Sequence, residues 1–215
     1  MTDPSPPDAE DALVLDADCA RCPALVDARE RIAWGNGARD AAVMVVGEAP
    51  ASGDADAERW AGGNRSGLAY TSRHSGRRVR SLVSALGLDE RAFYTNAVKC
   101  FPADGEGSNR EPTPEERATC RDHLRAEVDT VSPDAVLATG KHATASVLAA
   151  EGRTLDGFLE RVLDPTPCPT LGTTLVPLLH PSYQEVWLAR LDYTPETYRD
   201  ELAAVLDACG VDVRR

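Results

Sequence analysis

Four short runs dominated by apolar residues, at 41–46, 93–98, 135–139 and 174–179, constrain this chain more than any other feature. Such runs read as parallel strands buried on both faces. Helical patterns follow them at 76–86, 114–131, 141–150 and 195–208. The second of these opens Thr113-Pro114-Glu115-Glu116, a threonine cap, a proline in the first turn and acids near the positive helix end. Thr194 is placed to cap the last. Strands alternating with helices predict an α/β fold, a three-layer α/β/α sandwich around a short four-stranded parallel sheet. The predicted domain is 18–215. Residues 1–17, acidic and with three prolines, read as a partly disordered tail.

In a parallel sheet, residues at the carboxyl ends of the strands share one crevice. Here those ends carry Gly47-Glu48-Ala49-Pro50-Ala51, then Asn96-Ala97-Val98-Lys99-Cys100, and finally His180-Pro181-Ser182. A carboxylate, an amide and an imidazole meeting there can orient water, read a base edge and stabilise a leaving anion. Taken singly, each has a plainer role: a capping acid, a turn residue, a surface histidine. Their joint occurrence at three strand ends is what points to a site. Long loops at 47–75 and 102–111 would surround it.

Charge argues in another direction. Asp+Glu number 35 against 23 Lys+Arg, a net of −12, and only Lys99 and Lys141 are lysines. Phosphate attraction ordinarily needs a basic surface. Either the chain does not bind nucleic acid, or it works in concentrated salt, as in a halophile, where the Debye length falls to about 3 Å at 1 M. The densest basic cluster is Arg73, Arg77, Arg78 and Arg80, a phosphate-binding stripe or a solvated helix face. No signal peptide and no apolar run of about 18 residues is present, so the expectation is a cytoplasmic protein with no membrane contact.

Six cysteines without a signal peptide suggest metal rather than disulfides. Cys19-Ala20-Arg21-Cys22 is a CxxC, whereas Cys100 and Cys120 do not form a second one. A ribbon with two such knuckles is therefore unsupported, and a distributed four-cysteine site stays open. Cys168 and Cys209 read as packed or surface thiols.

Gly47-Glu48-Ala49-Pro50, Asn96-Ala97-Val98-Lys99-Cys100 and His180-Pro181-Ser182 resemble the motifs of the uracil-DNA glycosylase superfamily, and the four cysteines resemble those of its iron–sulfur families. The resemblance runs from about Cys19 to about Asp207. Glu48 and His180-Pro181-Ser182 are similar to family four. The stretch from Gly62-Gly63-Asn64-Arg65 to Ala69-Tyr70-Thr71 is more similar to family five, with Tyr70 where phenylalanine is usual. The 53–61 insertion departs from both patterns.

The resemblance implies base excision repair of uracil-containing DNA by a monomeric glycosylase. Glu48 and His180 would be catalytic, and Ala49, Ala51, Tyr70 and Asn96 would bind the base. Arg65, Arg77, Arg78, Pro181 and Ser182 would contact DNA. Cys19, Cys22, Cys100 and Cys120 would hold a structural 4Fe-4S cluster, with zinc the chemical alternative. Two competitors remain: a non-catalytic nucleic-acid-binding module of the same fold, and a redox or zinc protein unrelated to DNA.

Overall fold

A computed structural model of the chain describes residues 4–105 and 108–213. Met1 to Asp3, within the stretch read as a tail, and two residues of the 102–111 loop lie outside them. Seven strands form one mixed sheet: β1 (Ala12–Leu13), β2 (Gly35–Gly37), β3 (Val43–Gly47), β4 (Ala92–Asn96), β5 (Ala135–Thr139), β6 (Thr166–Cys168) and β7 (Thr173–Leu178). Their order is β1-β2-β4-β3-β5-β7-β6. The four expected strands are β4, β3, β5 and β7, parallel and adjacent.

The expected four-stranded sheet is therefore too small. β2 pairs antiparallel with β4 and β1 with β2, while β6 pairs antiparallel with β7. These additions are two or three residues long, Ala-Leu, Gly-Asn-Gly and Thr-Pro-Cys, too short for an apolar run to announce them. β1 and β6 are the outermost strands, where a strand can lack a ladder donor, as at Pro167, while β2 is held between β1 and β4. Ala12 and Leu13 pair with Asn36 and Gly35, so this part of the acidic N-terminal stretch is held against the sheet.

Seven helices accompany the strands among the described residues: α1 (Pro23–Ala28), α2 (Gly63–Ser66), α3 (Ser75–Ala85), α4 (Pro114–Val131), α5 (Lys141–Ala150), α6 (Gln184–Arg190) and α7 (Pro195–Ala208). Alternation along β3 divides the core. Val43 and Val45 pack with Val79 and Val83 of α3 and Leu202 and Leu206 of α7. Met44 and Val46 pack with Leu124 and Val128 of α4 and Val147 of α5. Helices thus cover both sheet faces, the layering the sequence predicts. The Thr113 hydroxyl accepts from the Glu116 N–H at 3.2 Å, and the Glu116 carboxylate accepts from the Thr113 N–H at 2.8 Å, so α4 begins at a complete capping box. Among the described residues no helix is long and apolar enough to cross a membrane.

Candidate active site

The carboxyl ends of β3, β4, β5 and β7 open into one cleft of about 960 Å³. Gly47 and Asn96 are ladder partners at the ends of β3 and β4. Glu48, Ala49, Ala51, Tyr70, Asn96, His180, Pro181 and Ser182 all line the cleft. A Cβ on Gly47 would lie 2.5 Å from Asn96 Oδ1 and 2.9 Å from the Tyr70 hydroxyl, so any side chain here would displace both groups.

Tyr70 adopts a left-handed backbone, φ 56°. Its hydroxyl shares a 2.7 Å hydrogen bond with Thr139 Oγ1, and its carbonyl accepts from Arg80 Nε at 3.1 Å. Asn96 is 4% exposed, yet its Nδ2 has no hydrogen-bond partner among the described residues. Glu48 Oε1 is likewise buried and unpaired. Burial pushes the Glu48 carboxyl up, with Glu111 adding to the shift and His142 and Arg117 opposing it. Burial, then His142, pushes His180 below the ordinary imidazole range, so its ring is neutral near pH 7. The Ser182 N–H donates to His180 Nδ1 at 3.2 Å. That bond assigns the ring proton to Nε2, which is then a donor. The site therefore offers an unpaired amide donor, an unpaired carboxylate oxygen and a neutral imidazole donor to whatever enters it.

The arginines separate. Arg80 leaves the proposed stripe, because it is 9% exposed, lies 3.8 Å from the Tyr94 ring centroid and donates to Asn36 Oδ1 at 2.6 Å. Arg73, Arg77 and Arg78 are exposed. Arg78 donates to the Pro181 carbonyl at 3.1 Å and pairs with Glu185 at 2.9 Å, bracing the loop behind His180. Arg65 pairs with Glu30 at 3.2 Å and does not line the cleft.

Sequence reading passed over the end of β5. Thr139-Gly140-Lys141-His142 enters the cleft by the same strand-end rule that finds Glu48, and His142 Nε2 lies 3.1 Å from Glu111 Oε1. The polar residue closing the 135–139 run was the available signal. The Lys99–Glu127 ion pair was also missed, and no local pattern announces a partner 28 residues away.

The four cysteines come from three places: the segment before α1, the segment after β4, and α4. Cys22, Cys100 and Cys120 pack with Leu25 and Val98. Cys100 is within electrostatic range of Cys19 and Cys22, and Cys120 of Cys100 and Cys22. Arg29 Nη1 donates to Cys100 Sγ at 3.2 Å and Nη2 to the Cys19 carbonyl at 2.7 Å, tying two of these segments together. Burial raises Cys22 and Cys100 and pushes Cys120 up to about 11, so these thiols stay protonated unless a metal displaces the protons. Soft donors gathered from three segments beside a guanidinium suit an iron–sulfur cluster, which spans more space than a single zinc ion. Among the described residues the set of ligand atoms lying within 4.8 Å of one another is Asp16, Cys19 and His123, not three of the cysteines. Cys168 is buried on β6, and Cys209 is half-buried at the end of α7.

Residues 34–204 match the family described as the uracil DNA glycosylase superfamily. The chain is 34% identical over 169 residues to a type-5 uracil-DNA glycosylase of Pyrobaculum aerophilum, covering 65% of this chain and 69% of the relative. It is 32% identical over 167 residues to a type-4 uracil-DNA glycosylase of Thermotoga maritima, covering 77% of each. A type-5 uracil-DNA glycosylase of Mycobacterium bovis is 30% identical over 90% of this chain and 79% of its own length.

Proposed function

The chain belongs to the uracil-DNA glycosylase superfamily, and from that premise we propose that it is a DNA-repair glycosylase releasing uracil by hydrolysing the N-glycosidic bond of deoxyuridine. The observation that carries this reading is the cleft in which the unpaired Asn96 Nδ2, the unpaired Glu48 Oε1 and the neutral His180 meet.

A base inside a duplex is out of reach, so the nucleotide must flip into the cleft. Tyr70 provides an aromatic wall for the ring, and main-chain N–H groups around Ala49 and Ala51 are available to its edge. Asn96 Nδ2 donates to uracil O4 while Oδ1 accepts from N3–H; cytosine presents the reverse pattern. When the N1–C1′ bond breaks, its electron pair goes to the base and the sugar becomes oxocarbenium-like. His180 Nε2–H donates to the charge developing at O2, without having to lose a proton. Glu48 orients water toward C1′ and accepts its proton, leaving a C1′ hydroxyl on the abasic sugar. The proton then passes through solvent to the uracil anion. Pro181 and Ser182 meet the DNA beside the flipped nucleotide, and Arg65, Arg77 and Arg78 meet phosphates.

Cys19, Cys22, Cys100 and Cys120 are the residues that would hold a 4Fe-4S cluster. When bound, the group supplies a structural crosslink between the N-terminal segment, the end of β4 and α4. Zinc on the same thiolates is the chemical alternative; iron, sulfide and zinc analysis of protein purified without oxygen separates the two. The reading extends to a cytoplasmic monomer adapted to high salt.

The test is release of free base from single- and double-stranded uracil DNA at several salt concentrations. Uracil release that vanishes in Asn96→Ala and His180→Ala supports the reading. Tight DNA binding with no release would favour a non-catalytic module.

A further inference from the structure

Lys99 and Glu127 are 1% and 0% exposed, and Lys99 Nζ lies 2.6 Å from Glu127 Oε2. All three ammonium protons are used: the other two go to Thr95 Oγ1 at 2.7 Å and to the main-chain carbonyl of Asn96 at 2.5 Å. The carboxylate is equally committed. Oε2 also accepts from Thr95 Oγ1 at 2.7 Å, and Oε1 from the Gly35 N–H at 3.2 Å. Burying two charges carries a large desolvation cost, and an apolar pair of similar volume often stabilises a fold as well or better. A buried pair is therefore weak support for stability, and its contribution has to be sought in what it fixes.

What it fixes is the end of β4. Beyond the last ladder pair the chain turns, with the Ala97 N–H donating to the Gly47 carbonyl at 2.8 Å and the Val98 N–H to the Glu48 carbonyl at 2.9 Å. Lys99 clamps the third carbonyl, that of Asn96 itself. Rotation of this peptide would swing the side-chain amide off the base edge. The same segment is tied to the cysteine site: the main-chain N–H of Lys99 donates to the Cys120 thiol, and Cys100 follows directly.

We infer that the Lys99–Glu127 pair is a positioning device that fixes the Asn96 main chain for uracil recognition and links it to the four-cysteine site. The inference rests on the role of Asn96 proposed above.

The experiment compares wild type, Lys99→Met, Glu127→Gln and the double variant, which replaces the pair by a neutral one that keeps an acceptor for Gly35. Melting temperature, iron content, kcat/KM on uracil DNA and inhibition by free uracil are read for each. Both single variants should melt lower, having one uncompensated buried charge. Their kcat/KM should fall about 10–100-fold, by analogy with the loss of a partner that orients a metal ligand. Uracil inhibition should weaken in parallel. The double variant should recover melting temperature without recovering uracil inhibition. Recovery of both, or single variants with wild-type uracil inhibition, makes the pair merely structural and overturns the inference. A wild-type protein that neither releases nor binds uracil overturns the functional reading, and this inference with it.

Discussion

Burial holds the Glu48 carboxyl above its ordinary range, and that has opposite consequences for stability and for catalysis. Ionising a carboxyl whose folded pKa is raised costs the folded state. The stability it contributes is full below the unfolded pKa and is lost as pH rises through the folded one. At neutral pH, Glu48→Gln should therefore melt no lower than wild type, and higher if the carboxylate is ionised there. Its kcat should nonetheless fall about 10²–10⁴-fold, the range for a general base. In wild type the acid limb of the rate profile should lie above the ordinary carboxylate range, and it should be absent from the residual activity of the glutamine variant. His180 has the other sign. Its folded pKa is lowered, so the stability it contributes is present above the unfolded imidazole value and is lost as pH falls through the folded one. His180→Ala removes the Nε2 donor, and kcat should fall about 10²–10³-fold as for other single oxyanion donors. A pH titration of melting temperature and single-turnover rate on the same three proteins checks both statements.

Gly140 shows how elements, rather than single side chains, shape the cleft. It precedes α5 with φ 89°, and its N–H donates to the Leu178 carbonyl at 2.8 Å. A Cβ here would lie 3.1 Å from His180 Cβ and 3.2 Å from its Cδ2. Gly140→Ala should cost about 1 kcal/mol or more in stability, since alanine is strained at positive φ. The rate loss should exceed what the unfolded fraction explains, because the imidazole is displaced; urea melts and single-turnover rates at low temperature separate the two. This coupling also marks where sequence reading stops. The runs at 135–139 and 114–131 foretell β5 and α4 because uninterrupted burial or complete caps leave a local signature. Glu48, Asn96 and His180 are legible because each ends such a run. β1, β2 and β6 are not, since runs as short as Ala-Leu, Gly-Asn-Gly and Thr-Pro-Cys acquire strand geometry from a neighbour rather than from their own pattern. Arg80 misleads for a related reason. It lies among exposed arginines in sequence, but it faces inward between Tyr94, Asn36 and the Tyr70 carbonyl.

At the scale of the whole molecule, a net charge of −12 must be reconciled with a polyanionic substrate. Long-range attraction cannot supply affinity when the sign is wrong, so contact depends on local cations and on the cleft itself. Each phosphate neutralised should contribute about −0.9 to the slope of log affinity against log salt. With so few exposed arginines beside the cleft, that slope should be shallow. Arg77 and Arg78 are exposed neighbours on α3, and removing either should weaken DNA binding. Arg77→Ala should reduce the slope by about 1. Arg78 holds the Pro181 carbonyl and Glu185, so Arg78→Ala frees the loop that follows His180 and should also slow the single-turnover rate on saturating DNA. Filter-binding isotherms between low and molar salt, paired with single-turnover base release, measure both quantities on one set of proteins. Wild-type slopes in both variants would show that α3 does not face the DNA, and the substrate would then have to reach the cleft along another edge of an acidic surface.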